Sequence, residues 1–175
     1  MKEYKILFTG TMGAGKTTAI AAISDVPPVT TDVLNTDESL SKETTTVGFD
    51  YGELALPDGD RLRLYGTPGQ QRFSFMWQIL AKGALGLVIL IDNSRPQPLA
   101  DLAIYLENFT HLIRDTACVV GVGRMDSHAQ PDLEAYSQCL HEHGVMCPVI
   151  ATDVRERQQV VMLLDLLMVQ LETQA

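Results

Sequence analysis

Residues 10–17, with the sequence GTMGAGKT, constrain the fold of this chain more than any other segment. They follow the apolar run Tyr4–Phe8 and precede Thr17–Ile23, which has the composition of a helix. A strand, a glycine-rich turn and a helix in this order are typical of a phosphate-binding loop. The glycines let successive amides converge on an oxyanion, and the helix N-terminus adds its positive end. The segment therefore predicts binding to the phosphates of a nucleotide, whereas the alternative is a glycine-rich turn without a ligand.

Two side chains extend the chemistry of this loop. Lys16 supplies a cation for the outer phosphates, and the Thr17 hydroxyl is a ligand for Mg²⁺. The residues that we expect to contact the nucleotide here are Gly10, Met12, Gly13, Ala14, Gly15, Lys16, Thr17 and Thr18.

Composition limits the class of protein. A chain of 175 residues with 46% hydrophobic and 20% charged residues is expected to form one domain spanning 1–175. The net charge of −9 disfavours nucleic acid and anionic membranes as partners. Three cysteines without a C-x-x-C pattern are typical of a reduced, cytoplasmic protein. No signal peptide is expected, because the chain reaches its first strand by Tyr4 without a longer apolar segment. No membrane anchor is expected, because the sequence carries no lipidation motif at either end and the apolar stretch 160–171 is short and contains Asp165 and Gln170.

Strands and helices are predicted to alternate along the chain. The predicted strands are Tyr4–Thr9, Gly48–Leu56, Arg61–Tyr65, Ala84–Ile91, Ala117–Val122 and Val145–Ala151. The predicted helices are Lys16–Ser24, one that carries Phe73 to Leu80, one long helix from Leu99 to Ile113, Pro131–His141 and Glu156–Leu171. This order predicts an α/β fold, a three-layer αβα sandwich whose six-stranded sheet is parallel except for one hairpin strand. The loop 26–46 is long enough to suggest a function.

Four later segments, each next to a predicted strand, carry further short motifs. They are Thr46-Val47-Gly48-Phe49, Gly66-Thr67-Pro68-Gly69-Gln70, Gly123-Arg124-Met125-Asp126 and Ala151-Thr152-Asp153. With the phosphate loop, they resemble the motifs of the Ras-like small GTPases across nearly the whole chain. The resemblance implies a P-loop NTPase that binds GTP or GDP with Mg²⁺. The T-P-G-Q sequence is similar to a bacterial and archaeal branch that includes the gliding-motility GTPases.

The resemblance also implies roles at the phosphate end. Thr46 would join Thr17 as a Mg²⁺ ligand, and the Gly69 amide would contact the γ-phosphate. Gln70 would orient the attacking water, while Lys16 would stabilise the charge that develops. A roadblock (longin-related) protein is the activator implied by the branch, and an effector would bind the switch regions.

At the base end, Asp126 can accept two hydrogen bonds from guanine, whereas adenine offers no such donor pair. The alternative is that Asp126 caps the loop before the helix at Pro131. Arg124 stands where relatives have lysine and would stack on the base. The Ala151 amide would donate to the guanine carbonyl, and Thr152 would lie beside it.

Three departures from the family pattern predict unusual behaviour. Gly66 replaces the aspartate that holds a magnesium-bound water in most relatives, so another carboxylate would have to serve or the metal would bind weakly. Gly123 replaces an asparagine, and Met12 replaces a glycine and would crowd Gln70. No arginine lies in 26–46, and Arg72 is either a catalytic finger or a solvated side chain. We therefore expect slow intrinsic hydrolysis of GTP.

Alternatives remain at this stage. The loop sequence is also similar to that of shikimate-type kinases, which would use ATP, and Gly66 and Met12 would suit an adaptor that binds nucleotide without hydrolysis. The final helix is apolar at ten of twelve positions from Val160 to Leu171. It is either covered within the domain or forms a surface for a homo-oligomer. Phe75 lies off the apolar stripe of its helix and is a candidate contact for a partner.

Overall fold

A computed structural model of the protein describes residues 1–30 and 48–174. The strands are β1 (Glu3–Gly10), β2 (Val29–Thr30), β3 (Asp50–Ala55), β4 (Arg61–Gly66), β5 (Ala84–Asp92), β6 (Ala117–Gly123) and β7 (Val149–Ala151). The helices are α1 (Lys16–Ile23), α2 (Ser74–Ala81), α3 (Pro98–Asn108), α4 (Thr110–Asp115), α5 (Leu133–Glu142) and α6 (Arg157–Gln174). A short 3-10 helix, Gln71–Phe73, precedes α2.

The described residues form one seven-stranded sheet in the order β2-β3-β4-β1-β5-β6-β7. Strands β4, β1, β5, β6 and β7 are parallel, and β3 is antiparallel to both of its neighbours. The mixed α/β fold and the hairpin strand are confirmed, but the prediction of six strands is wrong. The seventh strand, β2, has only two residues and lies in the predicted loop 26–46. Two residues are too few to show an alternating pattern. Residues 31–46 of that loop, and Val47 after it, lie outside the described part.

Helices cover both faces of the sheet. One apolar core joins β1 and β4 to α1 and α6. The other core joins β5 and β6 to α2, α3 and α5. Nearly every residue of β5 is buried, which explains its continuous apolar sequence. The three-layer arrangement therefore agrees with the predicted sandwich.

Two predicted helices differ in ways that the local contacts explain. The single helix predicted from Leu99 to Ile113 is two helices, because the backbone leaves helical geometry at the buried Phe109. The Thr110 hydroxyl donates to the carbonyls of Leu106 and Glu107, which helps to close the first helix. Helix α5 begins at Leu133 and not at Pro131, because the Asp132 carboxylate caps it by accepting a hydrogen bond from the Ala135 amide at 3.0 Å.

Helix α6 packs one side against the sheet and α1. Its buried side chains are Val160, Leu163, Leu164 and Leu167, while Met162 and Val169 are more than half exposed. The core thus uses most of the apolar surface that the sequence concentrates in this helix. In the described ranges 1–30 and 48–174, no helix combines the length and apolar character needed to cross a membrane.

The sheet brings five loops to one edge. In parallel strands the carboxyl ends share an edge, and ligand sites of open α/β sheets form there. The loops that follow β1, β4, β5, β6 and β7 are 11–15, 67–70, 93–97, 124–132 and 152–156. The segments singled out in the sequence therefore meet at this edge.

Candidate functional site

A cleft of about 810 Å³ opens at the carboxyl edge of the sheet. Most of the predicted binding residues line it: Met12, Gly13, Ala14, Gly15, Lys16, Thr17, Thr18, Gly69, Arg124, Asp126, Ala151 and Thr152. Gly10 and Gln70 do not line the cleft but contact residues that do. The predicted magnesium ligand Thr46 lies outside the described residues. The fold thus brings together segments that are far apart in the chain.

The phosphate loop has a backbone that its glycines make possible. Gly10 has φ 150°, and a Cβ there would lie 2.2 Å from the Leu90 carbonyl oxygen of the neighbouring strand. Gly15 has φ 100°, and its Cβ would lie 2.6 Å from Val154 Cγ2 in the loop after β7. These are positive φ values that side chains rarely adopt. The loop therefore sits tightly between β5 and the loop 152–156.

Lys16 is held by the loop itself. Its Nζ donates to the carbonyls of Gly10 at 2.6 Å and Thr11 at 2.8 Å, and the residue is 7% exposed. Burial lowers the pKa of the Lys16 ammonium to about 8, while the nearby Asp50 carboxylate raises it. An ammonium held only by neutral carbonyls in a buried place is stabilised further by an anion. The phosphate end is therefore prepared for a negatively charged ligand.

Asp50 is a buried carboxylate of the cleft that the sequence analysis missed. Its carboxylate is 7% exposed and accepts hydrogen bonds from Thr17 Oγ1 at 2.7 Å and Thr30 Oγ1 at 2.9 Å. Asp50 pairs with Gly66 across the hairpin, and a Cβ on Gly66 would lie 3.1 Å from Asp50 Oδ2. The carboxylate thus fills the space that a side chain at position 66 would need. The turn at 57–60 fixes this register, so the pairing could have been predicted from the sequence.

The T-P-G-Q segment lies directly against the phosphate loop. A Cβ on Gly69 would come within 2.6 Å of the Met12 nitrogen and 3.0 Å of Lys16 Nζ. The Gln70 amide is engaged at both ends, since Nε2 donates to Met12 Sδ at 3.7 Å and Oε1 accepts from Arg72 Nε at 2.7 Å. Met12 therefore contacts the Gln70 side chain, as the sequence analysis expected.

The base end is formed by the loops after β6 and β7. Asp126 is exposed in the cleft, and the helix that it might have capped is capped by Asp132. The Arg124 guanidinium donates to the Asp92 carboxylate, an ion pair that the sequence analysis did not predict. Thr152 is buried, and its amide donates to the Val122 carbonyl at 2.9 Å, which aligns Ala151 with β6.

Comparison with known families adds to this geometry. A model of a family described as "conserved hypothetical ATP binding protein" matches residues 29–172. The chain belongs to this ATP-binding family. The match begins after the phosphate loop 10–17 and includes the segments that carry Gly69, Asp126 and Thr152.

Individual relatives are distant. An uncharacterized protein of Methanocaldococcus jannaschii is 28% identical over 53% of this chain and 53% of its own length. The Ras-related protein RabC of Dictyostelium discoideum is 22% identical over 97% of this chain and 84% of its own. The Ras-related protein Rab-8A of Gallus gallus is 26% identical over 75% and 52%. The chain therefore spans about half the length of the first and third of these relatives.

The ATP-binding family and the distant Ras-related proteins support the same coarse assignment. Both likenesses support a nucleotide-binding protein, and the chain is similar at low identity to Ras-related proteins. Of these descriptions, that of the family names a nucleotide, which is ATP.

Proposed function

We propose that this protein is a small GTP-binding switch that hydrolyses GTP to GDP and phosphate. The observation that carries the proposal is one cleft with the phosphate loop at one end and the exposed Asp126 carboxylate at the other. The loop suits phosphates, and the carboxylate suits the N1–H and 2-amino donors of guanine. A protein that orders its loops around the γ-phosphate can signal which nucleotide it holds.

The phosphate loop binds and orients the nucleotide. Lys16 exchanges its bonds to the Gly10 and Thr11 carbonyls for bonds to phosphate oxygens, which offer full negative charge. Gly69 lies against Met12 and Lys16, and its amide would contact the terminal phosphate.

The residues near Thr17 fit a magnesium ion. Mg²⁺ in nucleotide sites takes one or two protein oxygens, phosphate oxygens and water, so it needs no cage of carboxylates. None of the described residues form a cluster of three or more His, Cys, Asp or Glu side chains. The Thr17 hydroxyl and the buried Asp50 carboxylate, 2.7 Å apart, would hold the ion, and Asp50 would serve in place of the aspartate absent at Gly66. Thr46 is a further proposed ligand. When bound, the ion neutralises charge on the phosphates.

Gln70 orients the attacking water, but only after it rearranges. Both polar atoms of its amide are occupied by Met12 and Arg72. Releasing them has a free-energy cost, so intrinsic turnover is slow. An arginine supplied by a partner is typically worth about 10³ to 10⁵ in rate. Phosphate release by the purified protein at about 1 s⁻¹, far above the range of unassisted switch GTPases, would refute slow turnover.

Partners and location are part of the proposal. Phe75 and Ile79 are exposed on α2, the helix that follows the T-P-G-Q segment, and would contact an effector or a roadblock-type activator of the gliding-motility branch. Met162 and Val169 are the exposed apolar side chains of α6 available to a homo-oligomer. Three free cysteines suit the reducing cytoplasm.

Binding of ATP is the second candidate, because the matched family is described as ATP binding. A non-hydrolysing adaptor is the third, favoured by the contact of Gln70 with Met12. Competition of GTP, GDP and ATP against a fluorescent GDP analogue, followed by a phosphate-release time course, separates the three. We expect preference for guanine nucleotides and slow release of phosphate. Preference for ATP would contradict the proposal, and guanine binding without hydrolysis would favour the adaptor.

Asp126→Asn tests the base assignment directly. An amide in place of the carboxylate cannot accept both guanine hydrogen bonds but can pair with xanthine. We expect GDP affinity to fall by about tenfold or more, with a gain for xanthosine diphosphate. Asp115→Asn is the matched control, because Asp115 is exposed, pairs with Arg114 and lies outside the cleft. Unchanged GDP affinity in Asp126→Asn would show that the base binds elsewhere.

A further inference from the structure

The loop 124–131 carries Asp126 but lacks the asparagine and lysine that position it in the proteins that it resembles. Both ends of this loop instead form hydrogen bonds with two consecutive residues, Asp92 and Asn93, at the carboxyl end of β5. Asp92 and Asn93 are 7% and 2% exposed. Buried polar side chains of this kind are held by their hydrogen bonds and leave little freedom to the groups that they bind.

The near end of the loop is bonded to Asp92. The Arg124 guanidinium donates to Asp92 Oδ2, and the other carboxylate oxygen accepts from the amide and the hydroxyl of Ser94 at 2.9 and 2.6 Å. Arg124 has φ 62°, an uncommon conformation for a residue with a side chain. The backbone N–H of Asn93 also donates to the Gly123 carbonyl at 3.1 Å.

The far end of the loop is bonded to the Asn93 side chain. Its Nδ2 donates to the carbonyls of His128 at 2.6 Å and Pro131 at 3.0 Å. Its Oδ1 accepts from the Tyr136 hydroxyl at 2.6 Å. The Tyr136 hydroxyl is protonated at neutral pH, and burial raises its pKa further. The three hydrogen bonds of the Asn93 side chain therefore connect the end of β5 to the loop and to α5.

Asp126 lies between these two attachment points. The His128 amide donates to the Arg124 carbonyl at 2.9 Å and closes a turn around it. We propose that Asp92 and Asn93 are positioning residues that hold this turn so that the Asp126 carboxylate faces the base. This inference rests on the proposed binding of guanine nucleotides. In this account, two residues at the end of β5 position the Asp126 loop in place of the missing asparagine and lysine.

The geometry of base recognition makes such support necessary. A carboxylate that accepts two parallel hydrogen bonds needs both distances within a few tenths of an ångström. Asp126 is exposed on a loop, so its own surroundings restrain it less than the buried residues of the sheet. Loss of an Asn93 bond would widen the range of positions that the carboxylate visits. The effect would fall on the contacts to guanine and not on those to phosphate.

Asn93→Ala tests this role through the ratio of two affinities. GDP and inosine diphosphate differ only in the 2-amino group that Asp126 would bind. We expect the affinity for GDP to fall about tenfold, the size of effect typical for a lost buried hydrogen-bond partner. We expect a smaller change for inosine diphosphate, so the preference for GDP should shrink. Asn108→Ala is the control, because that amide also donates to a carbonyl but is exposed and outside the cleft.

Two outcomes would overturn the inference alone. Equal losses for both nucleotides would mean that Asn93 only stabilises the fold, and an unchanged ratio with unchanged affinities would mean that the loop needs no such support. If Asn93→Ala does not fold, Tyr136→Phe removes a single hydroxyl and should shift the ratio in the same direction by a smaller factor. A wild-type protein that prefers ADP to GDP would instead overturn the base assignment on which the inference rests.

Discussion

The two ends of the cleft are stabilised by opposite kinds of contact. At the phosphate end, Lys16 bonds to Gly10 and Thr11, which lie six and five residues away. At the base end, Asn93 bonds to His128 and Tyr136, which lie 35 and 43 residues away. A phosphate site can therefore form from one short segment of the sequence, whereas the residues of this base site are brought together only when the sheet has folded. Substitutions at the phosphate end should therefore weaken all nucleotides alike, whereas substitutions at the base end should change the preference among bases.

The largest effect is expected at the phosphate end. Lys16→Met removes the cation, and we expect about a hundredfold weaker binding of GDP, because hydrogen bonds to charged groups carry much of such affinity. Inosine diphosphate and ADP should lose the same factor, since the lysine does not contact the base. Titration of the three nucleotides measures this. Lys82→Met, at an exposed lysine outside the cleft, is the control, and losses that depend on the base would break the proposed division.

The next effect concerns magnesium. Asp50→Asn should raise about tenfold the Mg²⁺ concentration needed to slow GDP release, the usual scale for residues that support a metal. Gly66→Asp should also weaken the site, because its side chain would meet the Asp50 carboxylate. The double variant Asp50→Gly with Gly66→Asp exchanges the two residues and should recover part of the Mg²⁺ dependence.

Release of a fluorescent GDP analogue across a magnesium titration measures the metal without requiring hydrolysis. Asp58→Asn, on the exposed hairpin turn, is the control. If Asp50→Asn leaves the magnesium dependence unchanged, Asp50 does not hold the ion.

The affinity for GDP should also depend on pH, through Lys16 at the phosphate end. Lys16 has a pKa of about 8 in the free protein, and a bound phosphate would raise it. Above pH 8 the free lysine is largely neutral, so GDP binding should take up protons and weaken as the pH rises. Calorimetry at pH 8.5 in buffers of different ionisation enthalpy measures this uptake. It should disappear in Lys16→Met, and uptake that persists in that variant would assign the proton to another group.

The smallest effect is expected from Arg124→Lys at the base end. Lysine keeps the charge beside Asp92 but not the planar guanidinium, and the Arg124 side chain is about half exposed. We expect GDP binding to weaken by about two- to threefold, as for a partly exposed ion pair, with a smaller change for inosine diphosphate. A loss as large as that of Lys16→Met would mean that Arg124 binds the nucleotide directly.

The sequence predicted the features that depend on neighbouring residues. The phosphate loop, the buried strand β5 and the exposed Phe75 follow from local spacing and composition, and the structure agrees with each. The twelve predicted residues that line the cleft lie in four short segments of the sequence, but Asp50 and Asn93 carry no local signal. Their importance comes from partners in other strands and loops. Of these, only the pairing of Asp50 with Gly66 could have been found, from the length of the hairpin turn.

A crystal structure of the protein with GDP and Mg²⁺ tests the central claim most directly. We expect the phosphates against residues 10–17, Lys16 Nζ moved from the Gly10 and Thr11 carbonyls to phosphate oxygens, and Asp126 within hydrogen-bond distance of guanine N1 and N2. A base bound away from Asp126, with Lys16 still on its own carbonyls, would contradict the account.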